Sequence, residues 1–278
     1  MTNAIELIGI YGSDKTHALS AWTSTSRELS QEKEERIPDL IRMLIKAGHH
    51  TPFEKSSIHF LVTAEIASHI HLLKHRIGVS INGESARYKE LKEDKFHIPI
   101  DWPEQEQQEL TEHCLYCFDK YHKTLQKLTP ILGKKRAKES ARFYLPYSAQ
   151  LTFDVMFNFR SFMHFLSLRK KPEAQTEIKD IAEEMLTLVQ STGLFTYSVE
   201  AFQDYILEAP SITKFEMNIV RDLISSLTAQ GAPASYGVDE VRNRLTALLE
   251  EQPDMGKREK TESKLLELIL GKNDASNT

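Results

Sequence analysis

Apolar and polar positions alternate with period two at three places in the chain and recur with helical period over most of the rest. Residues 4–11, AIELIGIY, predict a first strand closed by Gly12, Ser13 and Asp14. SIHFLVT over Ser57–Thr63 and QLTFDVMF over Gln150–Phe157 predict two more, the last ending at Asn158. Helical spacing runs from Glu32 to Lys46, through Ile37, Leu40, Ile41, Met43, Leu44 and Ile45, with Gly48 as the stop. A helix is predicted over Ala64–Lys74, and a long amphipathic one over Gln105–Leu128 closed by Pro130 and Gly133. A short helix then puts Arg160 and His164 on one face and ends near Arg169. Three amphipathic helices follow, at Phe215–Ala229, Val238–Glu250 and Lys257–Leu270, joined by QGAPASYG and QPDMG, with NDASNT as a frayed end. The pattern divides the chain into a mixed unit, residues 1–212, and a helical extension, residues 213–278.

Composition narrows the function classes. The 278 residues are 40% hydrophobic and 27% charged, as in an ordinary globular protein, and the formal net charge of −5 argues against a general nucleic-acid binder. An anionic ligand must therefore meet positive charge gathered locally. No stretch has the length and apolarity of a membrane helix, and MTNAIELIGIYGSDK lacks a basic n-region and cleavage site, so a cytoplasmic protein is expected. Cys114 and Cys117 cannot form a disulfide framework or a four-cysteine zinc site, and at i and i+3 of a helix they are expected to pack. GKKRAK, residues 133–138, lacks the spacing of a phosphate loop and reads as a solvated helix start.

Local charge is concentrated in KHRIGVSINGESARY, Lys74–Tyr88. Lys74, His75, Arg76 and Arg87, with Lys89 just beyond, bracket small hydrogen-bonding residues, a composition that suits an anion; a solvated basic turn would share it. HHTPFEK, from His49, reads as a turn carrying two histidines and a carboxylate, or as a plain surface loop. His71 and His75 have metal spacing, but no third ligand is placed by a motif, so no metal is expected. Glu139 and Arg142 share a helical face, and Asn158, Arg160, His164 and Arg169 follow; alone, these would be ion pairs and caps.

Taken in order, these segments resemble the flavin-dependent thymidylate synthases. The signature there is Arg-His-Arg, seven residues, then Ser, ending Ser-x-Asn-x-x-Ser-x-Arg-Tyr; Ser80, Asn82, Ser85, Arg87 and Tyr88 fit its end and His75 and Arg76 its start. Lys74 replaces the first Arg, and eight residues separate Arg76 from Ser85, so that either Gly83 or Glu84 takes the place of the family's Glu. His49, Thr51 and Glu54 fit His-x-Thr-Pro-Phe-Glu, and Glu139, Arg142, Pro146, Asn158, Arg160, Leu168 and Arg169 fit a third series. His71 and His164 stand where Gln and Asn are usual. The resemblance covers about residues 4 to 205.

The resemblance implies an α+β fold with an antiparallel sheet, here with a helical C-terminal extension, and a homotetramer with shared active sites. It implies reductive methylation of dUMP to dTMP with methylenetetrahydrofolate as one-carbon donor, FAD as hydride carrier and NADPH as reductant. By position, His71, Lys74, Gly83, Glu84, Ser85, Ala86, Arg87, Arg142 and Arg169 face dUMP. His49, Thr51, Glu54, His75, Arg76, Asn158, Arg160 and His164 face FAD or folate. Both cysteines lie outside the matched motifs, against a cysteine-nucleophile mechanism, and Arg169 is the expected activator of the pyrimidine. Two alternatives stay open: another pyrimidine-nucleotide modification such as hydroxymethylation, and a non-catalytic flavin or nucleotide sensor.

Overall fold

The computed structural model describes residues 2–26, 28–207, 212–228, 237–250 and 258–270. The chain divides into two compact units, Met1–Glu208 and Ala209–Thr278. In the first, β1 (Ala4–Tyr11), α1 (Asp14–Trp22), α2 (Gln31–Glu35), α3 (Ile37–Lys46), β2 (Ser57–Glu65), α4 (Ile66–Leu72) and β3 (Val79–Gly83) are followed by α5 (Glu104–Ala141) and β4 (Gln150–Phe157). α6 (Phe159–Arg169), α7 (Thr176–Ser191) and α8 (Thr196–Phe202) complete it.

The strands form one antiparallel sheet in the order β1-β2-β4-β3, so the fold is α+β. Register follows from alternation: Ile58 pairs Phe157, Phe60 pairs Val155 and Val62 pairs Phe153, and all six side chains are buried. Phe162 and Phe165 of α6 pack on this face, with Phe162 5.6 Å from Phe60 and Phe165 5.4 Å from Phe157 between ring centroids. The opposite face carries polar positions; Thr63 and Thr152 hydroxyls, for example, lie 3.0 Å apart across β2 and β4.

Several boundaries differ from expectation. Glu32–Lys46 is two helices that part at Arg36, where Pro38 fits the first turn of α3. β2 runs on to Glu65, which shortens the predicted Ala64–Lys74 helix to α4. Pro130 does not close the long helix; α5 breaks at Gly133, with φ 76° and ψ 154°, and then continues to Ala141. That backbone conformation belongs almost only to glycine. Most relevant to the site, the basic stretch contains the strand β3, paired with β4 from Val79–Phe157 to Gly83–Phe153.

The second unit contains α9 (Lys214–Thr228), α10 (Val238–Glu250) and α11 (Arg258–Leu270). They bury their own cluster, including Ile219, Leu223, Leu245, Leu249 and Leu265. QPDMG, NDASNT and all of QGAPASYG except Gly237 lie outside the described residues. No helix among the described residues is long and apolar enough to cross a membrane.

Candidate functional site

The Arg169 guanidinium is held by two histidines. Asn158 starts α6, its side-chain oxygen accepting from the Ser161 N–H at 2.8 Å, and Arg169 lies in the last turn. From there Nε donates to His75 Nε2 at 3.1 Å, Nη1 lies 3.3 Å from His71 Nδ1, and Nη2 donates to the His71 carbonyl at 3.4 Å. Burial first, then the charges of Arg169, His164 and His71, push the His75 pKa down to about 4. His75 is therefore neutral at pH 7 and can accept from the arginine. This leaves Arg169 oriented, with no carboxylate partner among the described residues and part of its donor fork available. His164 is exposed with its ring 6.2 Å from that of His75, and Lys74, next in sequence to His75, is exposed.

A second group forms where β3 ends. The Glu84 N–H donates to the Thr152 carbonyl at 2.7 Å, and its carboxylate accepts from the Thr152 N–H at 3.3 Å and from Lys89 Nζ at 2.5 Å. Gly83 is the last residue of β3, and a Cβ there would meet His69 Cε1 at 3.1 Å and Phe153 Cβ at 3.3 Å. The carboxylate at this strand end thus belongs to Glu84. Ser85 Oγ accepts from the Arg87 N–H at 3.3 Å, and Ala86 is buried. Arg87 Nε donates to Glu139 Oε1 at 2.6 Å, and this bond leads the effects that hold the Glu139 carboxyl below its ordinary pKa. Lys138 donates to the Tyr88 carbonyl, while Arg142 is exposed with no partner among the described residues. A cavity of about 570 Å³ opens here, with Thr63, Thr152 and Glu84 in its lining and Lys92, Lys134 and Lys138 around it.

Within one chain, Glu84 and Thr152 lie on the sheet face opposite the helix that carries Arg169. α6 packs on the Phe157 face, and His69 of α4 stacks on Phe153, with centroids 4.3 Å apart and planes 8° apart. By alternation, Thr152 and Glu84 belong to the other face. Among the described residues, the hydrogen bonds of each group stay within it.

The third segment, Thr51–Glu54, is a 3-10 turn. Glu54 Oε1 accepts from Arg160 Nη1 at 2.5 Å, and His49 and Thr51 are exposed. Ser161 Oγ donates to the Ile77 carbonyl at 2.7 Å and the Asn158 N–H to the Gly78 carbonyl at 3.0 Å. Arg76 and Arg160 consequently flank one tie between the basic stretch and α6.

Behind this segment lies a network that the sequence reading missed. His17 of α1 is fully buried, with Nδ1 2.9 Å from Ser198 Oγ and Nε2 2.8 Å from Ser56 Oγ. Ser198 Oγ donates to Asp14 Oδ1 at 2.6 Å, and the Asp14 carboxylate also accepts from the Tyr197 and Ser198 N–H groups, capping α8 from a distant part of the chain. Since the Ser198 proton goes to Asp14, His17 carries its own proton on Nδ1 and accepts from Ser56. Burial pushes the His17 pKa down to about 3 and raises that of Asp14. The His17 ring meets Phe53 at 4.9 Å and Phe159 at 5.1 Å, one aromatic from each of the two motifs it backs. Pairing across |i−j| of 39 and 181 leaves no local signal, although an Asp at the start of a helix followed by a histidine on an apolar face was a visible clue.

The scaffold is antiparallel α+β and gathers arginines, histidines and lysines in local clusters on a chain of net charge −5, as an anionic ligand would require. The chain belongs to the thymidylate synthase complementing protein family, whose model matches residues 6–192. It is 31% identical over 208 residues to a flavin-dependent thymidylate synthase of Streptomyces avermitilis, covering 65% of this chain and 83% of that one. A flavin-dependent thymidylate synthase of Pseudothermotoga lettingae is 32% identical, covering 73% of this chain and 91% of that one. Similarity to the enzyme of that name from Ehrlichia ruminantium, 27% identical, covers 88% of this chain, more than the first unit alone supplies, and so reaches into the second. Among solved structures, a UMP/dUMP methylase, PolB, from Streptomyces cacaoi with bound 5-Br dUMP superposes with a TM-score of 0.63 at 29% identity, covering 74% of this chain and 96% of that one.

Proposed function

We propose that this chain methylates dUMP to dTMP in the cytoplasm, with FAD as hydride carrier, methylenetetrahydrofolate as one-carbon donor and NADPH as reductant. The observation that carries this reading is Arg169: a guanidinium held by neutral His75 and by His71, without a carboxylate partner among the described residues. Placed against the O2 and N3 edge of uracil, it stabilises negative charge on the ring and makes C5 a better nucleophile. Ser85, Arg87 and Arg142 receive the phosphate, with Glu84 beside them in the role of the family's Glu.

The residues fit a flavin dinucleotide. Arg76 is exposed and has no ion-pair partner among the described residues, and it flanks the same backbone tie as Arg160, whose guanidinium is paired with Glu54; Arg76 is the free cation offered to a diphosphate. Bound FAD would supply hydride; His49, Thr51, Glu54, Asn158 and His164 hold and orient it and the folate. The separation of Glu84 from Arg169, on opposite sides of the sheet, supports a site completed between subunits, in a homotetramer. Lys74, His71 and His164 modulate recognition on the Arg169 side.

The test is anaerobic turnover of the FAD-loaded protein with dUMP, methylenetetrahydrofolate and NADPH, with the product identified by mass. dTMP is expected. Hydroxymethyl-dUMP would instead establish the alternative modification, and FAD binding without any reoxidation would establish a sensor. UMP run in parallel addresses the ribonucleotide activity attributed to the PolB neighbour.

A further inference from the structure

The stretch between Arg76 and Ser85 is one residue longer than the family signature. β3 pairs with β4 from Val79 to Gly83 without a register shift, so the extra residue is not looped out inside the strand. The strand instead ends beside α4, where His69 covers Gly83. The His69 ring lies flat on Phe153, the partner of Gly83 across the sheet, with centroids 4.3 Å apart and planes 8° apart. A Cβ on Gly83 would meet His69 Cε1 at 3.1 Å and Nε2 at 3.6 Å, so glycine lets the ring come down onto both strands. Burial pushes the His69 pKa below its ordinary value, which keeps the ring neutral at pH 7. Among the described residues neither ring nitrogen takes a hydrogen bond, so the flat shape of the ring makes the contact.

What lies beyond Gly83 gives the contact a consequence. The Glu84 N–H donates to the Thr152 carbonyl at 2.7 Å, and the Glu84 carboxylate accepts from the Thr152 N–H at 3.3 Å, on the sheet face away from His69. Ser85 follows directly. A ring pressed on one side of Gly83 therefore sets where the chain leaves β4, and with it where the Glu84 carboxylate and the Ser85 hydroxyl stand. The same helix carries His71, whose Nδ1 lies 3.3 Å from Arg169 Nη1, so α4 bears on both nucleotide groups.

We propose that His69 is a positioning residue for dUMP: stacked on Phe153 over Gly83, it fixes the Gly83–Ser85 segment that meets the nucleotide. This role rests on the assignment of that segment to dUMP made above. Titration of the FAD-loaded protein with dUMP tests it, with the Kd for FAD measured in parallel. His69→Ala should raise the Kd for dUMP about five-fold or more and leave that for FAD within about two-fold, since the FAD residues gather at the tie to α6. His69→Phe, which keeps a flat ring on Phe153, should restore dUMP binding to within about two-fold of wild type. Gly83→Ala should also weaken dUMP binding, because its methyl meets the ring, and should cost less by about three-fold or more when His69→Ala has already removed that ring. If His69→Ala does not fold, Gly83→Ala and His69→Phe decide the matter. Equal losses of dUMP and FAD affinity would make His69 a packing residue only and overturn the proposal, as would an unchanged Kd for dUMP in the folded variants. A wild-type protein that takes up FAD but no dUMP would overturn the dUMP reading itself, and this role with it.

Discussion

Arg142 has an exposed guanidinium without a partner among the described residues, so its charge is free to meet a ligand. If it holds the nucleotide phosphate, Arg142→Ala should raise the Kd for dUMP roughly ten- to hundred-fold, the usual loss for a charge-assisted hydrogen bond. Titration of the FAD-loaded protein with dUMP checks this, and an unchanged Kd would remove Arg142 from the site. His17 is the opposite case, buried and held neutral. Its folded pKa of about 3 lies below the ordinary 6.5, so acidification protonates the unfolded chain first. Stability contributed by His17 is complete above pH 6.5 and should fall by about 1.4 kcal/mol per pH unit as the pH drops from there toward 3. Asp14 acts in the other direction, because its raised pKa makes the folded state the stronger proton binder, and it offsets the lower part of that window. Urea unfolding midpoints between pH 7 and 5 should decline in the wild type and decline less in a folded His17→Gln variant. Sequence motifs made Arg142 legible because its neighbours in the chain form the motif. His17 acquires its meaning only from Ser56 and Ser198, which the fold brings to it.

The elements that carry the site were legible in their periodicity, except for β3. VSING has few apolar residues and lies inside a basic run, so local composition favours a turn; pairing along β4 overrides it. The end of the long helix was half legible: of Pro130 and Gly133, only Gly133 breaks it, and GKKRAK begins the helical stretch beyond. Glycines distinguish local from tertiary demands. Gly78 has φ 65°, and a Cβ there would lie 2.2 Å from Asn158 Nδ2 and 2.4 Å from Ser161 Oγ, the residues that cap α6 and tie it to the basic stretch. Gly48 has φ 74° with nothing within 4 Å. Gly48→Ala should therefore cost only the backbone term, about 1 kcal/mol. Gly78→Ala should cost about 2 kcal/mol or more, because the cap is disturbed as well, and should weaken FAD binding. Denaturant unfolding of the two variants side by side measures the difference; equal losses would mean that the tie at Gly78 does not support α6.

For the whole molecule, the order of three motifs conveyed the family and the α+β class, but within one chain Glu84 and Thr152 lie on the sheet face opposite the helix that carries Arg169. That separation depends on how β3 pairs with β4, which the spacing of the motifs does not contain. The boundary between the units is a separate question. Each unit buries its own apolar cluster, and the residues proposed for chemistry fall between His49 and Arg169, inside the first. In the second, Thr213 and Glu216 form a reciprocal cap on α9, Lys264 of α11 donates to Glu216 at 2.6 Å and Arg244 of α10 donates to the Ser226 carbonyl of α9 at 2.6 Å, so its three helices are joined by polar contacts as well as by leucines. A chain ending at Leu207 should consequently fold, bind FAD and retain turnover. The similarity to the Ehrlichia protein extends past that point, which makes a contribution to assembly the expected role of the second unit. Light scattering of the truncated protein should show a changed assembly mass or scanning calorimetry a lower Tm. A truncated protein that remains folded at the original mass yet loses all turnover would place part of the active site in the second unit.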